Sequence, residues 1–162
     1  MLMLVSCKGN DNNYYNNVAF NEVYPVLKFD VSALTDDDFS SVGTSELKNA
    51  KKEDFKKIRF TLNVTNRSDI TKRTIIFPTG EEIKAHANSN KIDRYWFGSE
   101  IRDNSRVKSA MYRYDFVFYS KGLNDQDIRN MFGSLTTKVS WYSPSGSHTE
   151  ITIPVSDGIQ FH

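Results

Sequence analysis

Within its 162 residues the chain holds a single cysteine, Cys7, so no disulfide can form inside it. Small extracytoplasmic domains often need such bonds, but this length buries enough surface for a core to hold without them. No later run approaches the roughly 18 consecutive apolar residues that span a bilayer as a helix. The eight glycines are dispersed, so no loop is built to cradle a phosphate. Charge is nearly balanced, 21 Lys and Arg against 20 Asp and Glu, which excludes an overall basic surface of the kind that neutralises nucleic-acid phosphates. Histidine is scarce: His86, His148 and His162 are the only three, and none falls in an H-x-H or H-E-x-x-H spacing. What is abundant is aromatic residues, 13% of the chain, which favours β structure.

The N-terminus carries a different kind of signal. Leu4-Val5-Ser6-Cys7 is followed by the polar tract Lys8-Gly9-Asn10-Asp11-Asn12-Asn13. With Leu at the third position before the cysteine and a small Ser directly before it, the segment resembles the lipobox of bacterial lipoproteins. The resemblance implies that Cys7 is lipidated, that the residues before it are removed, and that the polar tract tethers a folded domain to a membrane. The protein would then be extracytoplasmic and lipid-anchored to the cell envelope, periplasmic or surface-facing. A diacylated cysteine supplies enough buried chain for stable anchoring without a transmembrane helix. The departure lies upstream: only six residues precede Cys7, with no Lys or Arg, where a signal has a basic start and an apolar core of about 7–15 residues. Residues 1–20 therefore read as a truncated signal with its lipobox and tether. The alternative is a buried apolar N-terminal strand with an incidental cysteine.

Residues 21–162 read as one domain. Leu27, Phe29 and Val31 alternate with Lys28 and Asp30, the period of a half-buried strand over 23–31. The same period is strongest over 57–66, where Ile58, Phe60, Leu62 and Val64 share a face, and over 107–120, where Tyr112, Tyr114, Phe116 and Phe118 do. Shorter strands are expected at 73–77, at 82–88 (Ile83, Ala85, Ala87), at 92–99, at 137–142 with Val139 and Trp141 inward, and at 149–153. Arg102-Asp103-Asn104-Ser105 reads as a polar turn. Residues 32–56 read as a long connection with one or two short helical pieces, Thr35 to Asp38 capping one of them. One helix is expected near 124–133: Asn124 caps it, Asp125 and Asp127 suit its first turn, and Ile128, Met131 and Phe132 form an apolar stripe. Seven to eight short strands separated by turns predict an all-β sandwich. The segment from Ile58 to Phe77, two strands around Asn66-Arg67-Ser68-Asp69, resembles the second and third strands of immunoglobulin-like domains of bacterial surface proteins, although the Cys-Trp-Cys hallmark is absent.

No segment carries a catalytic or cofactor signature, and neither cofactor nor metal is expected. Asp36-Asp37-Asp38 offers carboxylates to a hard cation but lacks the D-x-D-x-D-G spacing, and helix capping accounts for it better. Ser145-Gly146-Ser147-His148 sets a hydroxyl near an imidazole in what is otherwise a hairpin turn. The aromatic clusters Tyr95-Trp96-Phe97 and Trp141-Tyr142 are more informative. Successive strand residues face opposite sides, so each cluster turns a ring away from the core unless another element covers it. Tyr95, Trp96, Tyr112 and Tyr142 are accordingly the candidate binding surface. The expected function is a non-catalytic module that binds a protein or a glycan. The alternatives are an accessory or inhibitor component of an envelope assembly, and a small envelope hydrolase.

Overall fold

The computed structural model describes residues 22–43, 47, 49–67, 69–88 and 93–162. The lipobox-like segment Leu4–Cys7, the expected tether with Tyr14, Tyr15 and Phe20, and most of the expected helical turn at 45–48 lie outside the described residues. The elements in chain order are β1 (Val23–Ala33), α1 (Asp36–Ser40), a 3-10 turn (Lys52–Asp54), β2 (Phe55–Asn66), β3 (Thr71–Ile76), α2 (Gly80–Ala87), β4 (Tyr95–Gly98), β5 (Arg102–Ser105), β6 (Ser109–Tyr119), α3 (Asp125–Phe132), β7 (Thr136–Tyr142), β8 (His148–Pro154), a second 3-10 turn (Val155–Gly158) and β9 (Ile159–Phe161).

The strands form two sheets. The larger has the order β4-β6-β2-β1-β9, with β5 pairing β6 on the same edge as β4; the smaller is β3-β7-β8. Alternation decides which side faces in. Val23, Phe29 and Val31 of β1, Ile58, Phe60, Leu62 and Val64 of β2, and Tyr114, Phe116 and Phe118 of β6 are buried on one face of the large sheet. The small sheet covers one half of that face with Val139, Trp141 and Ile153. Helices α2 and α3 cover the other half with Ile83, Ala87, Ile128, Met131 and Phe132. Phe29 sits at the centre of the helix-covered half, its ring centroid 5.4 Å from Phe60 and 5.1 Å from Phe132. Each such fully buried side chain contributes about 1.5–3 kcal/mol by leaving water.

The all-β sandwich anticipated from the alternation is present, and β2 and β3 lie in different sheets. Among its described residues the connection 34–54 holds α1 and one 3-10 turn, and α3 carries the chain from the large sheet to the small one. Three elements differ from expectation. Residues 82–88 are not a strand: α2 runs Gly80–Ala87, because Thr79 and Glu82 form a reciprocal capping box and Ile83 and Ala87, one turn apart, are the residues it buries. Arg102–Ser105 is not a turn but β5, a strand of four exposed residues held by its register on β6. The chain also continues past Pro154 into β9, which pairs in parallel with β1 at Phe29–Val31. The 3-10 turn before β9 reaches β1 closely: a Cβ on Gly158 would lie 2.2 Å from Leu27 Cδ2 and 3.0 Å from the Leu27 carbonyl oxygen. A side chain there would have to push Leu27 aside.

The outer face of the large sheet is partly covered. Leu34, Val42, Phe55 and Val117 form a small buried cluster there, flanked by Phe39, Leu47, Trp96 and Tyr119. The connection 34–50 thus hides apolar positions that would otherwise face water.

Candidate functional site

The structure does not bring the four aromatic candidates together. Tyr95 on β4 pairs opposite Phe118 and turns inward; its ring stacks on Phe116 at 5.9 Å, and its hydroxyl meets the Tyr114 hydroxyl at 2.5 Å. Burial, and then the Tyr114 hydroxyl, push the Tyr95 phenol well above its ordinary pKa. Tyr112 also faces inward, its ring stacked on Phe77 at 5.6 Å, and burial followed by its hydrogen bond with Asp103 raises its phenol. Trp96 packs edge-on against Phe55 at 5.5 Å on the outer face of the large sheet. Tyr142 ends β7 pointing away from the core, because its neighbour Trp141 points in, and it rests against His148 at 4.8 Å. Trp96 and Tyr142 therefore belong to opposite outer faces, and no single groove joins them.

The polar candidates are engaged in structure. Asp36 binds Lys52 Nζ and Asp38 binds Lys57 Nζ, each at 2.6 Å, and each lysine holds its carboxyl below the usual range. Asp38 also completes the capping box of Thr35. In the β7–β8 turn the Ser143 and Ser145 hydroxyls meet at 2.7 Å and the Ser147 N–H donates to Ser143 Oγ. His148 stacks on Tyr142 instead of facing those hydroxyls. His86 Nδ1 lies 3.1 Å from the Met131 carbonyl oxygen, an acceptor, so this nitrogen carries the proton and ties α2 to α3. A cleft of about 390 Å³ opens beside it, with Glu82, Ser134, Leu135 and Lys138 on its walls. Glu82 is spent on the Thr79 backbone and hydroxyl, which lower its pKa. His162 Nε2 reaches Asp30 Oδ1 at 3.2 Å across the β9–β1 pair.

A feature that the sequence reading missed lies at the sheet edges. A free strand edge presents unpaired N–H and C=O groups, and proteins usually blunt it with bulges, short strands or charge. β3 is bulged between Thr71 and Thr74, with Lys72 in the left-handed region at φ 51°. β4 is bulged between Tyr95 and Phe97, β5 has four residues and β9 three. β8 is different. Its seven residues keep unbroken register with β7, from Tyr142↔His148 to Thr136↔Pro154, and its other side has no strand partner among the described residues. His148, Glu150 and Thr152 are exposed along it, and the weak pair of Glu150 with Lys138, at 3.8 Å, is the ion pair on the strand. On the side of β9, β1 has strand pairing only at Phe29–Val31 among the described residues, and Val23 shares its core cluster with Ile153 of β8. The sequence signal for this edge was the clean alternation of Thr149, Ile151 and Ile153, which gives a strand but not its place in the sheet.

Comparison with family models, with curated proteins and with solved structures returns no match.

Proposed function

We propose that this protein is a lipid-anchored, extracytoplasmic β-sandwich of immunoglobulin-like kind that holds another envelope protein, without catalysis, by adding an extended segment of that protein to the edge of β8. The observation that carries the reading is the seven-residue, unbulged edge of β8, the longest regular edge among the described residues. An added strand gains affinity from main-chain hydrogen bonds and selectivity from alternate side chains. Here those side chains would meet His148, Glu150 and Thr152. The lipobox at Leu4–Cys7 supports the anchoring half of the reading. A glycan platform has less support, since Trp96 and Tyr142 look away from each other while Tyr95 and Tyr112 face inward.

Two measurements test the two halves. Mass spectrometry of the membrane-extracted protein should find diacylated Cys7 as the first residue; an unmodified Cys7 with residues 1–6 retained ends the anchoring half. A photoreactive residue placed at Glu150 or Thr152 in cells should crosslink one defined protein, while the same residue at Asn63 or Glu100, exposed elsewhere, should not. Identical products from all four positions, or none from the β8 pair, would remove the edge from consideration.

A further inference from the structure

We infer that the end of the domain from which the chain leads back toward Cys7 is a docking surface for a bilayer bearing anionic headgroups. The inference rests on the anchoring reading above for its occupant, and on the following geometry for its site.

The described chain begins at Glu22, and Glu22 is fixed at this end because its carbonyl accepts the Arg67 N–H at 2.7 Å. Around it stand Arg67 from the β2–β3 turn, Lys72 and Arg73 from the start of β3, and Arg106 and Lys108 from the β5–β6 tip. Among the described residues three carboxylates share the end: Glu22, occupied by the Trp141 indole N–H at 2.8 Å, Asp69, and Asp103, which bonds Tyr112 beside Arg73. In a chain of nearly balanced charge, five cations against three carboxylates among the described residues is a positive end. At the opposite end the charges are paired: Asp36 with Lys52, Asp38 with Lys57 and Asp54 with Lys121.

The positive end is rigidly built. Arg73 is half-buried and acts as its brace. It donates to Asn66 Oδ1 at 2.6 Å and to the carbonyls of Arg106 at 2.7 Å and Ser109 at 3.1 Å. Asn66 Nδ2 in turn donates to the Val107 carbonyl at 2.7 Å. The tip is thereby clamped to the β2–β3 turn. Arg67 lies over the Tyr24 ring at 4.3 Å, and Lys72, at its bulge, sits 5.5 Å from the Tyr142 ring. The apex is Val107, 89% exposed and the most exposed large apolar residue among those described. The folded state gains nothing from holding an isopropyl group in water between two cations. At a bilayer interface the same triplet fits: Arg106 and Lys108 meet phosphates while Val107 enters the boundary with the acyl chains. A nucleic-acid backbone would use the cations but not the valine.

Fourteen residues lie between Cys7 and Glu22, a reach of no more than about 54 Å even fully extended. A lipid on Cys7 therefore keeps the domain near the surface, and attraction of the positive end selects the orientation.

The test uses the full chain with Cys7→Ala, so that no lipid contributes, and vesicles of phosphatidylcholine with or without phosphatidylglycerol. Cosedimentation should occur only with the mixed vesicles and should weaken as salt rises. Replacing Arg106 and Lys108 by Ala should weaken it about 25-fold, roughly five-fold for each charge. Val107→Ser should weaken vesicle binding several-fold and leave any binding of a single-stranded oligonucleotide unchanged. Lys28→Ala with Lys51→Ala, a control of equal charge placed elsewhere, should have no effect. Thermal melts of every variant establish that it is folded. No binding to mixed vesicles, equal binding to neutral ones, or an equal loss in the control would overturn the inference. So would binding of the oligonucleotide but not of vesicles. A lipidated Cys7 without vesicle binding by the unlipidated chain sinks the docking surface and leaves the anchor; vesicle binding with an unmodified Cys7 does the reverse.

Discussion

Gly98 shows how a single position decides what an aromatic residue does. A Cβ at 98 would lie 2.3 Å from both the Tyr95 and Tyr114 hydroxyl oxygens, so the missing side chain is what lets the two phenols meet at 2.5 Å. Tyr114 is buried, and Tyr95 stacks on Phe116 beside it. Gly98→Ala has to separate the pair or displace β4, and overpacking of this kind costs about 1–3 kcal/mol. Urea denaturation measures it. Because the clash is with the hydroxyl oxygens, Tyr95→Phe should relieve part of it, and the double variant should lose less than the sum of the two single losses. Strict additivity would place the strain elsewhere. The same contact turns the Tyr95 ring inward, which alternation alone does not reveal. Tyr95, Trp96 and Phe97 alternate across β4, but the bulge between Tyr95 and Phe97 and the covering connection 34–50 set how much of each ring stays in water.

Elements were legible where their period was unambiguous. β1, β2 and β6 alternate over many residues and lie side by side in register, and α3 announces itself by its Asn124 cap and its stripe. α2 was misread because Ile83, Ala85 and Ala87 satisfy the two-residue period as well as Ile83 and Ala87 satisfy one helical turn; the Thr79–Glu82 box was the deciding signal. β5 has no apolar residue to alternate, and β9 is too short to show a period, so both exist only because a neighbouring strand offers hydrogen-bonding groups. The open β8 edge and the positive end were invisible for a related reason: each depends on which turns and strands the topology brings side by side. Electrostatic stabilisation at this scale has a definite sign. Burial of Asp115 favours its neutral form, but hydrogen bonds from Arg113 and Arg59 outweigh burial and hold its carboxyl low. Asp38 is lowered chiefly by Lys57, and Glu82 by the Thr79 N–H. Carboxyls depressed in the folded state stabilise it above their unfolded pKa values, near 4, and that stabilisation disappears as pH falls through the lower folded values. The melting temperature should therefore drop as pH is taken below about 4. Asp115→Asn, which cannot titrate, should show a shallower drop; an identical slope would remove Asp115 from the account.

At the scale of the whole molecule the question is whether the two halves of the sandwich fold as one. The large sheet runs through both, but its inner face is covered by unlike partners, the small sheet over Leu62 and Val64 and the two helices over Ile58 and Phe60. Two half-buried residues touch both clusters, Leu27 and Phe77. Phe77 is the stronger bridge. It follows β3 of the small sheet, and its ring lies 4.4 Å from Phe60 and 5.6 Å from Tyr112. The chain offers a separate reporter for each side of the structure: Trp141 is fully buried under the small sheet, and Trp96 sits on the outer face of the large one. In proteins carrying one tryptophan each, through Trp96→Phe or Trp141→Phe, the two fluorescence transitions in urea should coincide, as a two-state domain requires. Phe77→Ala removes the bridge and leaves a cavity, at a cost of about 3–5 kcal/mol for a fully buried ring and less for this half-buried one. If Phe77 couples the halves, its loss should also separate the transitions, with Trp141 responding at the lower urea concentration because the small sheet has only three strands and one covered face. Transitions that shift together and stay coincident would instead assign cohesion to the continuous strands β1, β2 and β6, whose backbone pairing passes under both halves.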